Sequence, residues 1–213
     1  MDFLPSEIDD YVVKHTHKEP ELLYELNRQT HLNVLQPRML SGHFQGRVLS
    51  MLSKMIKPKR ILEIGTYTGY SSICLAEGLQ KDGELVTIDI NHILEDMVRN
   101  YMDKAGLSDR VRYHIGDAIE LIPTLTGEFD LVFIDADKNN YINYYNLVFD
   151  KIPSGGYIIA DNVLWSGKVV NPLEELDEDT KTLVAFNKLV QEDERVENVL
   201  FPIRDGLMVV RKK

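Results

Sequence analysis

From Arg60 onward the chain repeats one rhythm, and that rhythm leaves few folds open. Short apolar runs recur at 61–64, 85–88, 111–115, 131–134 and 157–160, separated by stretches with helical spacing such as 71–79 and 93–105. Strands that alternate with helices require right-handed crossovers, which build a mostly parallel sheet with helices on both faces. The runs are continuous in hydrophobicity, as strands covered on both sides are. The end of the chain departs from this pattern. Residues 196–203, then Arg204-Asp205-Gly206, then 207–210 read as an antiparallel hairpin, with Asp-Gly as its turn signal. Before Arg60, residues 1 to about 58 read as helical. Pro20 is placed in the first turn of a helix through Leu26. Phe44, Val48, Leu52 and Met55, spaced by four, four and three, form one stripe of a further helix that Pro58 ends.

A length of 213 residues suits a single domain, 1–213, with a helical segment at 1–57. Hydrophobic residues at 44% and charged residues at 27% are enough to bury a core. The net charge of -10 disfavours nucleic acid as a partner, because phosphate backbones are repelled. One cysteine, Cys74, makes no internal disulfide and reads as a buried thiol. No apolar segment approaches the roughly 20 residues that span a bilayer, and no leader pattern opens the chain. A cytoplasmic protein without membrane contact is the expectation.

Ligands of such sheets bind beyond the carboxyl ends of the strands, so the polar residues just after each strand carry the functional information. After the first strand comes Glu63-Ile64-Gly65-Thr66-Tyr67-Thr68-Gly69-Tyr70-Ser71. Gly65 and Gly69 permit a tight turn and a close backbone approach. The spacing is not the G-x-G-x-x-G of pyrophosphate loops. Glu63 would repel a pyrophosphate but attract a cationic amino group or a sulfonium. Asp89, 24 positions after Gly65, suits both hydroxyls of a ribose or, alternatively, a helix cap. Gly116-Asp117-Ala118 after the third strand is either an adenine edge or a plain turn. Asp135 ends the fourth strand, and Asp161 and Asn162 end the fifth. Adjacent strands lie about 4.8 Å apart, so three oxygens can converge on one hard divalent cation, Mg²⁺, Ca²⁺ or Mn²⁺. The six scattered histidines have no zinc spacing. Lys138, three positions beyond Asp135, is either a surface lysine or a base kept neutral by a nearby metal.

These strings resemble the small cation-dependent O-methyltransferases, the family of catechol and caffeoyl-coenzyme A O-methyltransferases, in its bacterial form. The resemblance rests on Leu62 to Ser71, on Phe133-Ile134-Asp135-Ala136-Asp137-Lys138, on Asp161-Asn162-Val163-Leu164-Trp165-Ser166-Gly167 and on Pro202 to Leu207, and it runs from about Met39 to the end. It implies an α/β Rossmann-like methyltransferase fold, a seven-stranded, mostly parallel sheet with one antiparallel strand, helices on both faces and extra N-terminal helices. It implies S-adenosylmethionine as cofactor, contacted by Ser41, Glu63, Gly65, Thr66, Ser71, Asp89, Ala118 and Asp135. It implies Asp135, Asp161 and Asn162 as ligands of a divalent cation, most naturally Mg²⁺, and Lys138 as the catalytic base. Lys138, Asn162 and Trp165 then border a phenolic substrate with adjacent hydroxyls. A homodimer is implied as well, with residues 1–57 contributing to it and to the substrate site. Residues 2–31 match no string that names a substrate class. A tRNA hydroxyuridine methyltransferase is the alternative with the same chemistry, set against the acidic charge. An NAD-dependent dehydrogenase is the alternative from another class, set against the glycine spacing and Glu63.

Overall fold

The structure is a computed structural model, and it describes residues 5–213. The expectation of helix at residues 1–4 lies outside them. Seven strands form one sheet: β1 (Arg60–Ile64), β2 (Glu84–Asp89), β3 (Val111–Ile115), β4 (Leu131–Ile134), β5 (Tyr157–Asp161), β6 (Val196–Phe201) and β7 (Leu207–Lys212), in the order β3-β2-β1-β4-β5-β7-β6. β7 runs antiparallel to both of its neighbours, and the other pairings are parallel. The strand order reverses between β1 and β4, which is where a doubly wound sheet opens a crevice at its carboxyl edge.

Side chains alternate across the sheet into two cores. Leu62, Ile64, Val132 and Ile158 point into one core, closed by α6 (Ala118–Thr124), α7 (Tyr141–Phe149) and α8 (Glu178–Glu192) through Ile122, Tyr145 and Phe186. Ile61, Leu85, Leu131 and Ile159 point into the other. It is closed by α2 (Glu21–Asn33), α3 (Gly42–Ile56), α4 (Tyr70–Ala76) and α5 (Glu95–Lys104) through Leu26, Leu49, Leu75 and Val98. A further helix, α1 (Ser6–Lys14), buries no residue.

Several expectations shift. Pro20 lies just before α2 rather than in its first turn. Burying no N–H at that position costs nothing, since the first helical donors lack partners anyway. α4 stops at Ala76, short of Leu79, and a 3-10 turn at His92–Leu94 precedes α5. α3 ends at Ile56, with Lys57 in the left-handed region (φ 53) before Pro58. The hairpin is looser than Asp-Gly suggested. β6 ends at Phe201, and Pro202 to Gly206 form the connection, with Arg204 (φ 49) and Gly206 (φ 91) both in the left-handed region.

The apolar stripe of α3 is the clearest departure. Phe44, Val48 and Leu52 are only half-buried, and Met55 is 72% exposed. The buried face carries Gln45, Gly46, Arg47, Leu49, Ser50 and Ser53 instead. Its polar side chains are tolerated because each finds a partner on another element, Arg47 pairing with Glu77 at 2.7 Å. Ser53 donates to the Leu75 carbonyl at 2.6 Å and Ser50 to Glu77 at 2.7 Å. Gly46 lets α3 approach α4, since a Cβ there would stand 2.6 Å from the Tyr70 ring.

Candidate active site

A cleft of about 1410 Å³ lies over the carboxyl edge of the sheet, larger than the roughly 300–1,000 Å³ of a single small-ligand site. It has room for a nucleoside cofactor and a second molecule. Gly65, Asp89, Ala118 and Ser41 border one part, and Asp135, Lys138, Asp161, Asn162 and Trp165 border the other.

The first part is built on the turn after β1. Gly65 has φ 101, and a Cβ there would overlap the carbonyl oxygen of Asp135, so only glycine fits between β1 and β4. Asp89, ending β2, accepts from the Tyr67 amide at 2.6 Å and the Asn91 amide at 2.8 Å. The next helical turn is capped by Asn91, so Asp89 is not its cap and stays turned to the cleft. Asp117 caps α6 through the Ile119 amide, which leaves Ala118 facing the cleft. Ser41, just before α3, is 8% exposed. Thr66 is turned under the loop, its hydroxyl 2.5 Å from that of Thr87, so its side chain does not border the cleft.

Glu63 is fully buried beneath the loop. Ser72 and Thr87 donate to its Oε2, while Oε1 has no partner. Burial pushes its carboxyl up to about 7, against the pull of those hydroxyls. An unpartnered buried carboxylate oxygen is costly unless something completes it. Glu63 lies beneath the loop that borders the cleft rather than in the cleft lining itself.

The second part is built where β4 and β5 end side by side. Lys138 is 7% exposed and is no surface lysine. Its ammonium donates to Asp135 Oδ1 at 3.2 Å, Asn162 Oδ1 at 3.0 Å and the Tyr141 hydroxyl at 2.6 Å. It lies 5.7 Å from the Trp165 ring centre. Asp161 is buried, and burial together with the neighbouring Asp135 pushes its carboxyl above the usual carboxylate range, opposed by Lys138, Gln45 and the Asn162 amide. Asn162 takes a left-handed conformation (φ 58) that asparagine tolerates, which carries its side chain back over the strand end. Among the described residues no three His, Cys, Asp or Glu side chains cluster as a metal site. The donor set is two carboxylates and an amide oxygen, the hard oxygens that Mg²⁺, Ca²⁺ or Mn²⁺ accept with water completing the shell, so these residues fit such an ion.

The structure also brings in residues that the sequence did not single out. Tyr141 donates to the Asp161 carbonyl at 2.8 Å while it receives Lys138. Burial and the nearby Asp135, Asp161 and Asp137 hold its hydroxyl well above the usual phenol range, so it stays protonated. Its position one turn beyond Lys138 was the available signal. Ser72 and Thr87 hold Glu63, and Ser71, expected at the cofactor, is buried and does not border the cleft. Gln45 and Arg204 also reach the site, and no spacing pointed to either.

A Rossmann-like sheet with an antiparallel final strand, a buried acid under its first loop and an oxygen-rich second part of the cleft fits a methyltransferase. The comparisons agree. Residues 13–213 match the O-methyltransferase family, so the likeness begins well before Met39. A caffeoyl-CoA O-methyltransferase of Eucalyptus globulus is 35% identical over 209 residues, which cover 92% of this chain and 83% of that one. An S-adenosylhomocysteine-bound methyltransferase of Podospora anserina superposes with a TM-score of 0.90 at 31% identity, covering 100% of this chain and 99% of that one. An O-methyltransferase of Streptomyces achromogenes in complex with S-adenosylmethionine gives 0.88 at 30% identity, covering 97% and 96%. The chain belongs to the O-methyltransferase family and is an S-adenosylmethionine-dependent O-methyltransferase. No helix among the described residues is long and apolar enough to cross a membrane.

Proposed function

We propose that the enzyme methylates one of two adjacent hydroxyls of a catechol-like or caffeoyl-type phenol, with a divalent cation, Mg²⁺ in the first place, held by Asp135, Asp161 and Asn162. The observation that carries this reading is the convergence of those three oxygens with Lys138 at the ends of β4 and β5. A bound cation supplies Lewis acidity that lowers the pKa of a coordinated phenol, ordinarily near 10.

The chain's own groups do the rest. Glu63 meets the amino end of the cofactor, Asp89 its ribose and Ala118 its adenine, with Ser41, Gly65, Thr66 and Ser71 shaping the turn around it. Lys138 Nζ now donates to Asp135 and Asn162. Were a cation held by those oxygens, its charge would favour the neutral amine, the ammonium proton passing to solvent, and the lone pair of Nζ would then take the proton of the reacting hydroxyl. Tyr141, permanently protonated, keeps Nζ in place from the side away from the cleft. Trp165 walls the aromatic ring of the substrate. The bulk of the rate enhancement is assigned to holding phenolate oxygen and methyl carbon at attack distance.

The test is methyl transfer to catechol, caffeic acid and caffeoyl-CoA, with Mg²⁺ and with EDTA. Full activity in EDTA removes the metal role. No activity on any vicinal diol, with activity on another hydroxyl compound, removes the substrate class. A homodimer is part of the same proposal. The exposed Met51 (60%) and Met55 (72%) on α3 support it, and light scattering on the eluting protein checks it.

A further inference from the structure

Gln45 stands between two groups that no other side chain of its size serves together. It lies in the first turn of α3 and is 2% exposed. Its Nε2 donates to Oδ2 of Asp161, and its Oε1 accepts from Arg204 Nη1 at 3.0 Å. Arg204, in the β6–β7 connection, also donates to the carbonyls of Leu40, at 3.3 Å, and Ser41. A guanidinium only donates and a carboxylate only accepts, so the group between them must do both. The arginine also fixes which end of the amide is the oxygen, and so which end faces Asp161. The other oxygen of Asp161, Oδ1, accepts from the Asn162 amide at 2.7 Å. Both carboxylate oxygens are therefore tied to rigid parts of the fold, one to a strand end and one to α3.

We propose that Gln45 is a positioning residue for the metal site: locked by Arg204, its amide orients the carboxylate of Asp161 toward the oxygens of Asp135 and Asn162. The inference rests on the metal reading above. A buried carboxylate with one free oxygen has several rotamers about its terminal torsion, and a fixed donor selects one. A glutamate at 45 would satisfy Arg204 but press a second negative charge on Asp161. A lysine would satisfy Asp161 and repel Arg204. An apolar residue leaves both buried groups short of a partner.

The experiment compares wild type, Gln45→Met and Gln45→Leu, the second covering a folding failure of the first. Mn²⁺ binding is followed by electron paramagnetic resonance without substrate, and S-adenosylhomocysteine binding by calorimetry in EDTA. Loss of an outer hydrogen bond to a metal ligand weakens affinity by about 10- to 100-fold. The expected result is a Mn²⁺ dissociation constant raised about tenfold or more in a variant whose S-adenosylhomocysteine affinity stays within about twofold of wild type. Equal Mn²⁺ affinity in variant and wild type overturns the role of Gln45 and leaves the metal reading intact. A parallel loss of both affinities also overturns it, because it shows a general loosening. Absence of saturable Mn²⁺ binding in wild type overturns the metal reading itself.

Discussion

Lys138 is held by three acceptors, and two of them belong to proposed metal ligands, so its removal separates its role from theirs. Lys138→Met is expected to lower kcat by about 10²–10⁴-fold, the range for loss of a general base, while S-adenosylhomocysteine affinity is kept. Assays across the substrate panel check this, and a normal rate removes Lys138 as the base. Tyr141→Phe keeps the ring and loses only the hydroxyl that meets Nζ at 2.6 Å. Its expected signature is a fall in kcat of about tenfold with little change in KM, because the hydroxyl's bonds to Nζ and to the Asp161 carbonyl are lost and no substrate contact is. Glu63 gives the pH dependence. Its carboxyl sits at about 7 in the fold against 4.5 as a free side chain, so the native state holds a proton that the unfolded chain has released. The stability this contributes is complete below about pH 4.5 and is lost as the pH rises through about 7. Glu63→Gln does not titrate. Its melting temperature relative to wild type therefore rises between pH 5 and pH 8, by several degrees, in buffers free of cofactor. The same substitution weakens S-adenosylhomocysteine at pH 8, by about tenfold for one charge-assisted hydrogen bond. A melting difference independent of pH contradicts the burial argument, and unchanged affinity contradicts the contact.

At the scale of elements, the β6–β7 connection is the support of the site. Asp205 takes the Ser166 amide on its side chain at 2.5 Å and the Leu164 amide on its carbonyl at 2.9 Å. Gly206 closes on Leu164, where a Cβ would come within 2.6 Å of that side chain. The segment with Trp165, which holds Trp165 and Ser166 at positive φ, is thus strapped to the hairpin. Asp205→Ala is expected to raise the acceptor KM severalfold and leave S-adenosylhomocysteine binding unchanged, since Asp205 itself bonds only the segment with Trp165, whereas Arg204 reaches Ser41. Steady-state kinetics with calorimetry check it, and a loss of cofactor affinity instead would place the strap's effect elsewhere. The hairpin itself was legible because two apolar strands flank Asp-Gly, and the five parallel strands were legible because sheets covered on both faces leave continuous apolar runs. The role of the connection was not, since it depends on contacts between residues some 40 positions apart. The α3 face was misleading for a related reason. Its buried side is polar because Gln45, Ser50 and Ser53 meet partners on other elements, so periodic hydrophobicity marked the side that the chain leaves half-exposed. Acids at strand ends are legible because topology alone gathers them. A glutamine that bridges two of its long-range neighbours is not.

For the whole molecule, the two parts of the cleft predict two independent stabilisations. Most residues proposed for the cofactor stand on or after β1 and β2 or open α6, and those proposed for the metal stand at the ends of β4 and β5, with Asp135 common to both, so each ligand ties down a largely different set of strands. A ligand that binds only the folded chain at 100 times its dissociation constant adds about 2.7 kcal/mol. For a domain of this size that amounts to about 5–10 °C in melting temperature. S-adenosylhomocysteine alone and Mg²⁺ alone are each expected to give a shift of this order at saturation, and together close to the sum. NAD is expected to give none, because a pyrophosphate on the loop after β1 would lie over the buried acid Glu63. Differential scanning calorimetry with each ligand, with both, and with EDTA reads all of these outcomes. A shift with Mg²⁺ that persists in Asp161→Asn would move the ion away from the ends of β4 and β5. A shift with NAD equal to that with S-adenosylhomocysteine would show that the loop after β1 does not discriminate by charge, and the assignment of Glu63 would fall with it.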